Sequence, residues 1–144
     1  GIRGTQYGAG DIQGSLDLGL EVLTANKLHS IGIAEGVRQI CGRIGKAPTF
    51  LSFDIDFVDP SMAPGTGTIE IGGFTGYETL QIIQGLRDID FLGMDLVEVL
   101  PSLDASGRTA YMAASVIHEI LAILALQKKN GKHRYAEQWR RELM

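Results

Sequence analysis

The sequence predicts an α/β fold in which a mostly parallel sheet carries helices on its faces. Candidate strands are separated by candidate helices along the chain, and this alternation favours parallel strands joined by helical crossovers. The length of 144 residues suits one domain, and 44% apolar with 21% charged residues is typical of a folded globular protein. In such a sheet, ligands bind beyond the carboxyl ends of the strands.

The first half of the chain contains two candidate strands and one helix. Residues 20–24 form a candidate short strand, and residues 33–44 form a helix with its apolar side chains on one stripe. Residues 49–58 form the clearest strand. A glycine-rich loop over residues 65–76 follows this strand, so we expect the loop to lie at a ligand-binding end of the sheet.

The second half repeats this order. Thr75 and Glu78 have the spacing of a capping box, which predicts a helix from this point to about residue 86. Residues 91–99 form the next strand, and a long helix follows over about 108–129. We find no internal repeat and no linker, so residues 1–144 are interpreted as one unit.

Charge and apolar runs argue against two classes of partner. The 13 Lys and Arg residues are outnumbered by 17 Asp and Glu residues, so neither a nucleic acid nor an anionic membrane is the expected partner. Basic residues concentrate within the segment 128–144, which we expect to be a charged C-terminal helix or tail. The longest apolar run, 117–126, is shorter than the roughly 18 residues that span a bilayer.

Two further features bear on the origin of the chain. Cys41 is the single cysteine, so no intrachain disulfide can form, and a reducing, cytoplasmic location is expected. The first residue is not Met, and residues 1–4 have the pattern of a strand end. We therefore expect further residues to precede Gly1 in a parent protein.

Two carboxylates mark the strand over 49–58 as a candidate metal site. Asp54 and Asp56 alternate with apolar residues and are predicted to project from one face, roughly 6.6 Å apart along the strand. Carboxylates on a buried sheet repel each other and lose hydration, and no Lys or Arg lies nearby in sequence. Mg²⁺ or Mn²⁺ would compensate them. The alternative is that one carboxylate caps the following loop while the other pairs with a distant Arg.

Polar residues at two strand ends complete the candidate site. Residues 59–68, which lead into and overlap the glycine-rich loop, are polar and lack the Lys of a P-loop, so nucleotide binding is not favoured. Glu98 lies near the carboxyl end of the next strand, and a carboxylate there can bind a planar guanidinium through two parallel hydrogen bonds. The alternative for Glu98 is an ordinary exposed strand end.

Four sequence motifs together resemble the ureohydrolase (arginase/agmatinase) family. They are SFDIDFVDP at 52–60, APGTGT at 63–68, the Gly72-Gly73 pair, and DLVEV at 95–99 followed by Pro101. The segment 98–104 and the helix start at 107–110 are more similar to the agmatinase and guanidinobutyrase branch than to arginase. The resemblance extends from residue 1 to about residue 126.

This resemblance implies an arginase-like fold, a three-layer α/β/α arrangement with a mostly parallel sheet, of which the chain would be the C-terminal part. It also implies two Mn²⁺ ions and a metal-bridging hydroxide that attacks a guanidinium carbon and releases urea. The substrate would be a small linear guanidino compound such as agmatine. By motif match, Asp54 and Asp56 would be metal ligands, Glu98 would hold the guanidinium and Thr68 would lie in the substrate loop. The complete enzyme would be a trimer or hexamer.

The sequence also departs from the family pattern. The Gly-Gly-Asp-His and Asp-Ala-His-x-Asp motifs, which carry the remaining metal ligands, have no counterpart here. Ile69 replaces a usual Pro, and the segment 100–104 differs in a way that could change which guanidinium tail is accepted. Two alternatives therefore stay open: an inactive half-fold that serves as a structural or interaction module, and a phosphotransfer or glycosyl-transfer enzyme using Asp54 and Asp56. The joint match of motifs disfavours the second.

Overall fold

Two parallel strands and a series of helices make up the computed structural model, which describes residues 1–5, 8 and 10–131. The elements in chain order are α1 (Asp11–Asp17), α2 (Ala25–Ile31), α3 (Ile33–Ile44), β1 (Thr49–Asp54), α4 (Gly76–Gly85), β2 (Phe91–Val97) and α5 (Arg108–Lys129). Strands β1 and β2 pair in parallel, with Ser52 opposite Asp95 and Asp54 opposite Val97. They can run parallel because the long connection between them contains α4. The predicted α/β class with a parallel sheet is confirmed.

The helices cover one face of the sheet. Helices α3, α4 and α5 pack against one another in chain order, and α5 also contacts β2. Their apolar side chains form one buried core with Phe53 and Phe91 from the strands. On the opposite face, Phe50 and Leu92 are 59% and 51% exposed. Of the three layers that the resemblance implies, the sheet and one helical layer thus lie within the described residues.

The two longer predicted helices have the bounds that their periodicity indicates. Helix α3 occupies 33–44 and α5 occupies 108–129. Gly45 follows α3 with a φ of +62°, a backbone conformation that glycine adopts without steric penalty and that does not continue the helix. The apolar stripe of α3 packs against the core through Ile33, Val37, Ile40 and Ile44.

The predicted strand over residues 20–24 is wrong. The segment has no regular structure, and its last residue, Thr24, caps α2 by accepting a hydrogen bond from the Lys27 backbone N–H. A capping hydroxyl favours the start of a helix over continuation of a strand. The segment instead contacts the N-terminus, because the Leu23 carbonyl accepts from the Gly1 amino group and the Ala25 N–H donates to Ile2. The short helices α1 and α2 were not predicted.

Both strands are shorter than predicted, and each ends at a site residue. Strand β1 ends at Asp54 because its carboxylate accepts a hydrogen bond from the Asp56 N–H and turns residues Ile55–Phe57 into a 3-10 helix. Strand β2 ends at Val97 because Glu98 has a φ of +63°, which an extended strand cannot contain. The sheet therefore stops where the candidate site begins.

Helix α5 is long and apolar enough to cross a bilayer, judged by length and composition over the described residues. The expectation drawn from its interrupted apolar run was therefore too strict. The core helix of a water-soluble protein passes the same test, and Val116 and Ile120 of α5 are fully buried in the core. The absence of a membrane partner stays a prediction. The charged segment predicted over 128–144 lies outside the described residues beyond residue 131.

The capping box that starts α4 gives a stability test. The Thr75 hydroxyl accepts a hydrogen bond from the Glu78 N–H, and the Glu78 carboxylate accepts one from the Thr75 N–H. Both of these N–H groups at the start of the helix therefore have a hydrogen-bond partner. We expect Thr75→Ala to lower the free energy of unfolding by about 1 kcal/mol and Thr75→Ser to leave it nearly unchanged. Chemical denaturation of the polypeptide as its gene encodes it measures both. Equal losses in the two variants would contradict the capping role.

Candidate functional site

The two aspartates of the predicted metal site reach the same groove from different elements. Asp54 is the last residue of β1, and Asp56 lies in the 3-10 turn that follows. Both line one groove, together with Thr68 from the glycine-rich loop. The predicted alternation of both aspartates along one strand is wrong for Asp56, which lies in a turn, but the two residues do reach one groove. The Asp54 carboxylate stabilises this turn through its 3.0 Å hydrogen bond from the Asp56 N–H.

Glu98 brings a third negative charge to the same place. It follows β2 directly, and β2 is the neighbour of β1 in the sheet. Burial raises the pKa of Asp56, and repulsion from Asp54 and Glu98 raises it further, whereas the Arg3 guanidinium lowers it. Glu98 also faces the loop, because a Cβ added to Gly67 would lie 3.6 Å from Glu98 Oε2. Glu98 thus lies beside the glycine-rich loop and within electrostatic reach of Asp56, although it is not among the residues that line the groove.

The backbone of Glu98 is strained. Within the part of the chain that the structure describes, it is the one non-glycine residue with a positive φ, at +63°. This left-handed conformation costs an L-residue roughly 1–2 kcal/mol. Such strain persists where the surrounding structure enforces it, and it is concentrated at functional sites. The strain therefore supports a functional interpretation of Glu98 over that of an ordinary strand end.

Arg3 is a site residue that the sequence analysis missed. Its guanidinium donates to the carbonyls of Asp56 at 2.6 Å, of Glu70 at 2.7 and 3.1 Å, and of Ile71 at 3.3 Å. It therefore links the carboxylate turn to the end of the glycine-rich loop. No signal in the local sequence could indicate this contact, because Arg3 and Asp56 are 53 residues apart.

Of the alternative interpretation, in which one aspartate caps the following loop and the other pairs with a distant Arg, the structure shows the first half. Asp54 does cap the following turn. The ion pairs among the described residues join Arg38 to Glu35 and Arg43 to Glu21, so neither site aspartate has an arginine partner there. Arg3 donates to carbonyl oxygens, including that of Asp56, and acts on the Asp56 carboxylate through its charge. The negative charge at the site is therefore only partly compensated by the described residues.

The loop that carries Thr68 is closed at its base by Asp59. The Asp59 carboxylate accepts from the N–H groups of Ser61, Gly72 and Gly73 at 3.0 to 3.1 Å. The Ser61 side chain lowers the pKa of Asp59 most, and these backbone bonds lower it further. A Cβ at Gly73 would lie 2.6 Å from the Asp59 nitrogen, so this close approach requires glycine. The closure presents Thr68 as an exposed residue on the groove that Asp54 and Asp56 line.

The oxygen donors of Asp54 and Asp56 suit Mn²⁺ or Mg²⁺, which are hard cations. They are only part of a site, however. No cluster of three or more His, Cys, Asp or Glu residues with metal-binding geometry occurs within residues 1–5, 8 and 10–131. A hard divalent cation takes about six donors. The pair therefore fits a metal whose remaining ligands come from outside the described residues.

The groove beside these carboxylates has a volume of about 880 Å³. Its polar lining includes Asp54, Asp56 and Thr68. Its walls include apolar residues of α3, of α4 and of the position just after α4, namely Ile40, Ile44, Ile82, Ile83 and Leu86. All residues of β1 line it, and among the described residues β1 pairs only with β2. An unpaired strand next to an apolar groove is a surface that proteins normally cover.

Comparison with known protein families matches residues 1–123 to the arginase family, and the chain belongs to that family. It is 39% identical over 125 residues to guanidinopropionase of Pseudomonas aeruginosa, a match that covers 87% of this chain and 39% of that protein. It is 44% identical over 114 residues to agmatinase of Neisseria meningitidis serogroup B, covering 79% of this chain and 37% of that protein. The chain thus spans about two fifths of the length of these relatives.

Two solved structures give the same result. The crystal structure of a hypothetical agmatinase from Burkholderia thailandensis matches with a TM-score of 0.80 and 37% identity, over 90% of this chain and 39% of that one. The arginase of Bacillus caldovelox matches with a TM-score of 0.70 and 27% identity, over 76% of this chain and 38% of that one. These values confirm the arginase-like fold and the agmatinase-like branch.

The strain at Glu98 predicts a difference between two variants that both lack the carboxylate. Glycine adopts a positive φ without a steric penalty, whereas alanine retains it. We therefore expect Glu98→Gly to have a free energy of unfolding about 1 kcal/mol above that of Glu98→Ala. Denaturant unfolding of the two variants, without added metal, measures this difference. An alanine variant as stable as the glycine variant would show that the backbone at residue 98 is unstrained.

Proposed function

We propose that the chain takes part in the hydrolysis of a small linear guanidino compound, of the agmatine type, to urea and an amine. The observation that carries this proposal is that Asp54 and Asp56 share a groove with Thr68 at the carboxyl end of β1, while Glu98 follows the adjacent parallel strand within electrostatic reach of Asp56. Membership of the arginase family supports it. The names of the relatives support it as well, since they include a guanidinopropionase and agmatinases.

The site residues divide into metal ligands and substrate-binding residues in this proposal. Asp54 and Asp56 would hold manganese, two ions in the complete enzyme, together with ligands from outside the described residues. Manganese, when bound, would supply an activated water at neutral pH. Glu98 would bind the guanidinium through two parallel hydrogen bonds, and its fixed backbone would orient the carbon for attack. Thr68 would contact the substrate from the loop.

A second candidate function is a structural or interaction module without catalysis. The observation that favours it is the incomplete metal-binding group of the described residues. We also propose a cytoplasmic location and a homo-oligomer, a trimer or hexamer, for the complete enzyme. These last proposals rest on the single cysteine and on the family resemblance.

The role of Glu98 is distinguished from that of the aspartates by a metal measurement. In the polypeptide as its gene encodes it, we expect Glu98→Gln to lose most urea release from guanidino substrates while the manganese content stays at the wild-type value. Asp54→Asn or Asp56→Asn is expected to lower the manganese content, because each removes an anionic oxygen ligand. Elemental analysis and a urea assay on the same samples test this. Loss of manganese from Glu98→Gln would make Glu98 a ligand.

The 144 residues by themselves are expected to bind Mn²⁺ weakly and to hydrolyse no guanidino compound. Two carboxylates leave most of the coordination sphere to water. A parent polypeptide that also carries the missing ligand motifs is expected to do both. Urea release with added Mn²⁺ compares the two proteins. Robust turnover by the 144 residues would contradict an incomplete site and would point to ligands from another subunit.

A further inference from the structure

The glycine-rich loop is attached on both sides of Gly65 to the segment that follows Glu98. The Gly65 N–H donates to the Thr109 hydroxyl at 2.8 Å, and the Gly65 carbonyl accepts from the Leu100 N–H, also at 2.8 Å. A Cβ at Gly65 would lie 2.8 Å from the Cβ of Asp104, so the two segments approach as closely as glycine allows. Residue 65 therefore has a fixed position relative to residue 100.

Asp104 determines which way the Thr109 hydroxyl points. One carboxylate oxygen of Asp104 accepts from both the N–H and the hydroxyl of Thr109 at 2.8 Å, and the other accepts from Ser106. A carboxylate offers no proton, so the Thr109 hydroxyl must donate to Asp104. Its oxygen is therefore free to accept from Gly65. Both Asp104 and Thr109 are buried, so these hydrogen bonds are shielded from water.

We propose that Thr109 and Asp104 are positioning residues that hold the loop of Thr68 at a fixed distance from Glu98. The inference rests on the proposed function, because it assigns those two residues to the substrate. The geometry of the chain carries it. Thr68 follows Gly65 by three residues, and Glu98 precedes Leu100 by two. The hydrogen bonds at Gly65 thus join the two sides of the substrate site within three residues of Thr68 and two residues of Glu98.

Removal of the Thr109 hydroxyl should leave the Gly65 N–H buried without a partner and release the loop. In the polypeptide as its gene encodes it, we expect Thr109→Val to lower kcat/KM for the guanidino substrate by about 10- to 100-fold, mainly through a higher KM. Thr109→Ser keeps the hydroxyl and is expected to restore most of this loss. Amide hydrogen exchange at residues 64–68 should be faster in Thr109→Val than in Thr109→Ser.

Thr79 provides a matched control for the loss of a buried threonine hydroxyl. It is fully buried in α4, and its hydroxyl donates to the Thr75 carbonyl at the start of the same helix, not to residues 64–68. Thr79→Val makes the same chemical change and is expected to leave kcat/KM and the exchange at residues 64–68 within about twofold of wild type. If Thr109→Val does not fold, Asp104→Asn replaces it in the experiment. The amide has one acceptor oxygen, whereas the Asp104 carboxylate accepts hydrogen bonds on both of its oxygens.

The outcomes separate the inference from the proposed function. A wild-type protein that hydrolyses no guanidino compound would overturn the proposed function, and the exchange at residues 64–68 would then decide the positioning role alone. Unchanged exchange in Thr109→Val would overturn the positioning role. So would unchanged kcat/KM in an active protein, or equal losses in Thr109→Val and Thr79→Val, because the effect would then be one of general stability.

Discussion

Repulsion of the Asp56 carboxylate by Asp54 and Glu98 is the constraint on which the rest of the candidate site depends. Three like charges at the ends of two adjacent strands oppose folding unless something offsets them. The described residues offset them in part, through the hydrogen bond that the Asp54 carboxylate accepts from the Asp56 N–H and through the charge of Arg3 near the Asp56 carboxylate. A divalent cation would supply the remainder, and this incomplete compensation supports the proposal of a metal held by the two aspartates.

The loop around this cluster is held by hydrogen bonds to its backbone rather than by apolar packing. Asp59 binds the N–H groups of Gly72 and Gly73, Arg3 binds the carbonyl of Glu70, and Thr109 binds the N–H of Gly65, the first residue of the loop. Such bonds set positions more tightly than contacts between apolar side chains, because they depend on direction as well as distance. They account for the close approaches at Gly65 and Gly73, where a Cβ would not fit.

The helices were predictable from the sequence where periodicity and capping agreed. The bounds of α3 and α5 and the capping box of α4 follow from local pattern. The ends of the strands were not predictable, because they depend on the Asp54 side chain capping a turn and on the positive φ of Glu98. The role of Arg3 depends on a contact between residues 53 positions apart, which no local signal records. Sequence motifs thus indicated the aspartates and Glu98, whereas the groups that hold them required the structure.

The most direct test of this account is the position of manganese in a crystal of the polypeptide as its gene encodes it, grown with Mn²⁺ and measured near the manganese absorption edge. We predict an anomalous peak within bonding distance of carboxylate oxygens of both Asp54 and Asp56, and none within bonding distance of Glu98. A peak bonded to Glu98, or fully occupied manganese bound elsewhere with Asp54 and Asp56 bonded to none, would contradict the division of roles between the aspartates and the glutamate.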